Sequence, residues 1–233
     1  MRTTTFACLV VLTTGFAGIA HANGADPSRC TVQGRFIDVE GATNGTPDAC
    51  SDARCGDFTV IVRDFANNVV AGATVTVDFT SCPDITIACD QLDAATGQHA
   101  VGAGQVAATA DQSGRATFRI QGAATAIVAG ASGTAVNIPC ARVYAGGVLL
   151  SPALVVAAYD VNGIGSPGGA VNGADVALVA AEAARAMLGF PAHARVDYNH
   201  SGTVNGADIA RSAAMAADAA SGTGSQAIGP ACP

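Results

Sequence analysis

The pentapeptide Val171-Asn172-Gly173-Ala174-Asp175 recurs unchanged as Val204-Asn205-Gly206-Ala207-Asp208. Each copy is preceded by Asp-x-Asn, at Asp160/Asn162 and Asp197/Asn199, and each opens an Ala-rich run, residues 174–188 and 207–220. Ala is the strongest helix former. Asp in a first turn is favoured by the helix dipole, and a glycine such as Gly189 suits the left-handed position after a last turn. Asp-Asn-Gly loops are good turns in their own right, which accounts for single residues here but badly for an ordered set that occurs twice. The duplication predicts two loop–helix units of one design.

The second loop has the spacing of a calcium-binding loop. Counted from Asp197, a 12-residue loop places Asp197, Asn199 and Ser201 at positions 1, 3 and 5, and Gly202 at position 6, where a sharp turn is needed. Thr203 offers a backbone carbonyl at position 7, Asn205 occupies position 9 and Asp208 closes the loop at position 12. Ca²⁺ takes six to eight hard oxygens in a flexible cage, and alternating side chains around a tight turn can supply them. Val204, at position 8, is the apolar residue through which paired loops can form a small ladder. Asp at position 12 is one methylene shorter than Glu, so the loop must close more tightly. The first loop keeps Asp160, Asn162, Asn172 and Asp175 but runs 16 residues, with Gly165-Ser-Pro-Gly-Gly169 inserted. Weak binding, binding with a bulge and no metal all remain open for it. With two formal charges in loop two, the expected affinity is on the order of 10⁻⁴–10⁻³ M or somewhat tighter.

This duplicated D-x-N-x-[ST/D]-G-x-V-N-x-x-D pattern with helices behind it resembles the dockerin repeats of bacterial extracellular proteins, over residues 160–220. The resemblance implies Ca²⁺ as the bound ion and a cohesin-like or other extracellular protein partner. In dockerins the partner is met beside the last ligands, here Gly173-Ala174 and Gly206-Ala207, small and identical in both copies. Such symmetry would permit two binding orientations. Val176, Val179, Met187, Ile209 and Met215 are expected to be packing residues of the helices.

From Cys30 to Ala158 the period of the sequence is two. Phe58, Val60 and Val62 alternate with Thr59, Ile61 and Arg63, and Val75, Val77 and Phe79 with Thr74, Thr76 and Asp78. Phe118 and Ile120 follow a turn at Asp111-Gln112-Ser113-Gly114. Short β-branched runs between turn residues predict a β-sandwich. The segments Phe58–Asp64, Asn67–Asp78 and Ala110–Phe118 resemble the bacterial immunoglobulin-like modules of invasin-type surface proteins. That resemblance implies an extracellular spacer or adhesion module without catalysis. The expected fold is thus a mainly β immunoglobulin-like sandwich, residues 23–158, and a small all-α dockerin-like helix pair with calcium loops, residues 159–220. A flexible tail, 221–233, is expected to follow.

The N-terminus supplies an address. Arg2, an apolar run from Phe6 to Ala20 and the Ala20-His21-Ala22 cleavage pattern read as a secretory signal peptide over residues 1–22. Cys8 stands near the start of the apolar run rather than following a small-residue lipobox after it, and no other stretch suits a transmembrane anchor. Export to the extracellular space or the bacterial cell surface favours disulfides over zinc for the remaining seven cysteines. Cys50–Cys55 and Cys82–Cys89 are expected as local staples and Cys30–Cys140 as a long closure, with Cys232 left over.

Composition narrows the function. The net charge is −7, there is no Lys and no Trp, and a phosphate-backbone partner is disfavoured. His99, His193 and His200 belong to no catalytic signature, and Glu40 and Glu182 are the only glutamates. Asp84, Asp90 and Asp93 form a carboxylate group near Cys82, equally well explained as a solvated loop. No catalytic residue is expected. The chain reads as a secreted non-catalytic protein whose dockerin-like module assembles or attaches an immunoglobulin-like adhesion or spacer domain. The alternative is an accessory, small hydrolase or carbohydrate-binding component of an extracellular polysaccharide-degrading system.

Overall fold

Alternating β-branched and polar residues become alternating buried and solvent-facing positions in the computed structural model, which describes residues 24–33, 36–39, 58–88, 97–124, 139–163 and 171–221. Along these residues run strands β1 (Thr31–Val32), β2 (Phe36–Val39), β3 (Phe58–Ile61), β4 (Thr74–Asp78), β5 (Ile85–Ile87) and β6 (His99–Gly102). They continue as β7 (Gln105–Thr109), β8 (Arg115–Phe118), β9 (Gly122–Ala124), β10 (Arg142–Ala145), β11 (Val148–Leu149) and β12 (Val155–Ala158). Helices α1 (Gly173–Met187) and α2 (Gly206–Ser221) come last, so the fold is mainly β with a C-terminal helix pair.

The largest sheet has the order β11-β10-β4-β7-β6, and a second has the order β1-β3-β8. Strand β4 is central: Val77 lies opposite Val106 on one neighbour and Val143 on the other, and Val75 opposite Ala108 and Ala145. All six side chains are buried in one apolar core. Phe58 faces Phe118 across β3 and β8, with ring centroids 6.2 Å apart, and both rings enter the same core. The alternation read along β3, β4 and β8 is therefore the alternation of burial, except that Thr59 is buried as well. The Asp111–Gly114 turn is built as its residues suggest. Asp111 Oδ1 accepts from the amides of Ser113 and Arg115, and Gly114 turns with φ +73° where a Cβ would lie 2.9 Å from the Val62 carbonyl.

The remaining pairings lead to the C-terminal end. β5 pairs with β9, and β12 pairs with β2 in parallel, Val156 opposite Ile37 and Ala158 opposite Val39. Beyond β12 a second apolar cluster begins, with Ala157, Tyr159, Val161, Val171, Val179, Val196, Tyr198, Val204 and Met215 at its centre. Tyr159 and Tyr198 stack there at 4.4 Å, both fully buried. Helix α1 ends in a Schellman arrangement: Gly189 has φ +81°, its amide donates to Ala186 and the Phe190 amide to Arg185.

Two expectations are overturned. Cys82 is bonded to Cys140, with Cα atoms 5.0 Å apart, so neither the Cys82–Cys89 nor the Cys30–Cys140 pairing holds. The turn after β4 carries Cys82 across to the residues preceding β10, a tertiary proximity that sequence distance conceals. Closing a separation of 58 residues restricts the unfolded chain by about 4 kcal/mol in the chain-entropy account. Cys30 keeps a free thiol, its Sγ accepting from the Arg63 amide at 3.3 Å. Cys50, Cys55 and Cys232, like the expected signal peptide and most of the expected tail, lie outside the described residues. Met187 is not a packing residue: it is 87% exposed at the end of α1, beside exposed Leu188 and Phe190.

Phe118→Ala is expected to destabilise the protein by about 3–5 kcal/mol, because a ring is deleted from a close-packed site. Phe65→Ala, at a ring that is 82% exposed, is expected to change stability by no more than about 0.5 kcal/mol. Urea unfolding of the two variants checks both values.

Candidate metal centre

Both loops enter and leave their turns through buried aspartates. Asp160 follows β12 by two residues, and Asp197 follows the short 3-10 turn Ala194–Val196. Asp175 and Asp208 stand in the first turns of α1 and α2. Relative exposures of Asp160, Asp175, Asp197 and Asp208 are 0, 0, 1 and 0%. Among the described residues no basic side chain forms an ion pair with any of them.

In loop two, backbone amides hold the carboxylates in place. Asp197 Oδ1 accepts from Ser201 N at 3.0 Å and Oδ2 from Gly202 N at 2.8 Å. Gly202 makes this possible with φ +84°, and His200 turns with φ +53°. Asp208 Oδ1 accepts from Asn199 N at 3.1 Å and Oδ2 from Asn205 N at 2.9 Å, so the last residue of the loop is tied back to its third and ninth. Asn199 Oδ1 accepts from Ser201 N at 2.9 Å, and Ser201 Oγ donates to the Thr203 carbonyl at 2.9 Å. The six residues assigned from spacing thus belong to one hydrogen-bonded loop. Asn205 is engaged as a cap, its Oδ1 accepting from Ala207 N at 2.8 Å.

Loop one repeats the two bonds at the helix cap and differs in the rest. Asn172 Oδ1 accepts from Ala174 N at 2.8 Å, and Asp175 Oδ2 from Asn172 N at 2.9 Å, a reciprocal capping box. Asp175 Oδ1 accepts from Val161 N, and Asp160 Oδ1 from Asn162 N. Two buried oxygens are left over: Asp160 Oδ2 and Asn162 Oδ1 have no hydrogen-bond partner among the described residues. Residues 164–170, with the inserted glycines, lie outside them.

The electrostatics follow from this geometry. Burial, reinforced by the charge of Asp175, pushes the Asp160 carboxyl up to about 7. Burial also raises Asp175, and it raises Asp197 with Asp208 as a neighbouring like charge. A buried carboxylate without a counter-charge is costly. Protons or a cation can remove that cost. The donor set is made only of carboxylate, amide, hydroxyl and carbonyl oxygens, the ligands a hard cation takes, and each amide-bound carboxylate oxygen retains a second acceptor site. No group of three or more His, Cys, Asp or Glu converges among the described residues. By donor type alone these oxygens match calcium, which accepts amide, hydroxyl and carbonyl oxygens, better than zinc. Asp160, Asn162 and Asp175 in loop one, and Asp197, Asn199, Ser201, Thr203 and Asp208 in loop two, are the residues that would hold it. Asn172 and Asn205 serve first as helix caps. Bound calcium would supply positive charge and crosslinking, without a chemical step.

Sequence reasoning missed what surrounds the loops. Arg195, only 2% exposed, pairs with Asp84, and His200 Nε2 lies 3.0 Å from Asp38 Oδ1 on β2. Asp84 is held below the ordinary carboxylate range: burial alone would raise it, but the hydrogen bonds and charge of Arg195 outweigh that. Its supposed companions Asp90 and Asp93 lie outside the described residues. His193, lowered by burial, accepts from Arg195 N, and its own amide donates to Glu182. A lone Arg just before a loop motif gives no sign in sequence that it will be buried.

No protein-family model matches the chain, and no curated protein or solved structure matches it significantly.

A carboxyl raised in the folded state binds its proton more tightly there than in the unfolded chain. Its contribution to stability is complete below the ordinary value of 3.8 and is lost as pH rises through about 7. In chelator, the melting temperature of the protein is therefore expected to fall over that window, and Asp160→Asn is expected to remove much of the fall. Millimolar Ca²⁺ is expected to oppose it, since the ion binds the deprotonated form. Calorimetric melts across the pH series, with chelator and with calcium, check the sign; a wild-type slope identical to that of Asp160→Asn contradicts it.

Proposed function

We propose that this is an exported, non-catalytic protein in which a calcium-dependent, dockerin-like C-terminal module mediates assembly with an extracellular protein partner. The module would attach an immunoglobulin-like adhesion or spacer domain to that partner. The observation that supports the reading is the repeated pair of buried aspartates at the mouths of two helices, none in an ion pair among the described residues, with the second of each pair accepting from the amide of the Asn three residues before it. A mere turn has no need to bury four carboxylates.

Two further features support a partner. Gly173, Ala174, Gly206 and Ala207 are exposed directly beside buried Asp175 and Asp208, which leaves the helix mouths open to contact by a cohesin-like protein. Met187, Leu188 and Phe190 present apolar surface at the other end of α1, where Arg185 lies over the Phe190 ring at 5.8 Å. Exposed apolar groups gathered in one place commonly mark interaction sites. No helix among the described residues is long and apolar enough to cross a membrane.

Titration of the mature chain with Ca²⁺ is expected to show one or two equivalents bound, with a dissociation constant on the order of 10⁻⁴–10⁻³ M or somewhat tighter. Asp208→Ala is expected to abolish most of the calcium response of helicity and melting temperature. Absence of binding up to about 10 mM, well past that range, refutes the reading. Calcium-dependent, chelator-reversible capture of an exported protein by the helix pair would establish assembly as its use.

A further inference from the structure

We propose that the ion pair Arg195–Asp84 latches the calcium loops to the β core, so that calcium occupancy of the loops controls the stability of the strands. The proposal rests on the calcium reading above and adds its regulatory consequence: the helix pair and the strands unfold as one unit when calcium is bound.

Arg195 stands two residues before Asp197, the first residue of loop two. Its guanidinium reaches entirely into the β region. Nε donates to Asp84 Oδ2 at 2.9 Å and Nη2 to Asp84 Oδ1 at 2.7 Å, a bidentate fork, and Nη1 donates to the Val156 carbonyl on β12 at 2.7 Å. Nη2 also lies 3.5 Å from Cys140 Sγ. Asp84 is two residues from Cys82, so the acceptor of the fork is fixed by the Cys82–Cys140 disulfide. A buried guanidinium that loses one partner leaves an uncompensated charge, which makes breaking such a pair far more costly than its net worth.

Loop one is joined to the same strands by the chain itself. Strand β12 runs into Asp160, whose carbonyl accepts from Ala124 N on β9 at 2.8 Å. Tyr198, inside loop two, donates its hydroxyl to the Ala158 carbonyl at 3.1 Å and stacks on Tyr159. Residues adjoining the ligand positions of both loops thus bond to β9 and β12. A ligand that binds only the ordered loops stabilises everything that must be ordered with them. By reciprocity, loosening the latch weakens calcium binding by the same factor.

The test compares amide hydrogen exchange of the intact mature protein in Ca²⁺ and in chelator, alongside calorimetric Ca²⁺ titration of wild type and of the double variant Asp84→Asn/Arg195→Met. The double substitution removes both charges together and leaves none unpaired. Expected are slower exchange of β5, β9 and β12 amides in calcium, a single calcium-shifted melting transition, and Ca²⁺ affinity weakened about 5-fold or more in the double variant. Calcium binding with unchanged exchange in those strands overturns the latch alone, and so does a double variant with wild-type affinity and a wild-type melting shift. No calcium binding by wild type overturns the calcium reading and the latch with it. The exchange comparison requires no substitution, so a double variant that fails to fold leaves the decision with wild type.

Discussion

Four buried carboxylates, none in an ion pair among the described residues, are the constraint on which the C-terminal third of this protein turns. Hydrophobic packing around Tyr159, Tyr198, Val179 and Met215 closes that region against water, yet the same closure strips solvent from Asp160, Asp175, Asp197 and Asp208. Backbone amides satisfy most of their oxygens as hydrogen-bond acceptors but supply only partial charges. The helix N-termini help in the same limited way. Protons on Asp160, Asp175 and Asp197, all raised by burial, can offset the cost of that burial at low pH, and a divalent cation could do so at neutral pH.

The same region cannot be treated as a bead on a string. A free module would present only solvated residues to its neighbour, whereas Arg195 is buried against Asp84 and Val156, and Tyr198 against Ala158. Burial of a bidentate Arg–carboxylate pair contributes little net stability but much specificity of arrangement, because a misplaced partner leaves a bare charge. The Cys82–Cys140 bond lies two residues from Asp84, the acceptor of that pair, and ties its turn to the residues before β10.

How much of this was legible depends on the range over which each signal acts. Period-two alternation is local, so Phe58, Val60, Val75, Val77 and Phe118 declared their burial in the sequence. The Asp111–Gly114 turn and the Gly189 helix end are equally local and stand where their residues put them. The duplicated pentapeptide announced both loops because the capping and closing bonds of Asn172, Asp175, Asn205 and Asp208 lie within a few residues of each other. Everything that required two distant segments to meet was silent. Cysteines close in sequence suggested local staples, and the fold instead joined Cys82 to a residue 58 positions away. Arg195 and Asp84 are separated by 111 positions, and neither carries a pattern that marks it for the other. Met187 failed in the opposite sense: its residue type suggested packing, but it is the last residue of α1 and stands exposed.

The long-range contacts in turn give the local motif its meaning. A calcium loop alone is a fold-on-binding element whose affinity reflects the cost of ordering its own residues. Here part of that ordering is already supplied by β12 on one side and by the Arg195 fork on the other, so the loops sit nearer to their bound shape before an ion arrives. Under the proposed calcium reading, preorganisation of this kind would raise affinity without adding a ligand. The strands gain in return an anchor that holds only while the loops are formed. The pairings β5–β9 and β2–β12 are two-stranded sheets, and it is to β9 and β12 that the residues entering the two loops bond, so order in the loops and order in the smallest sheets are tied together.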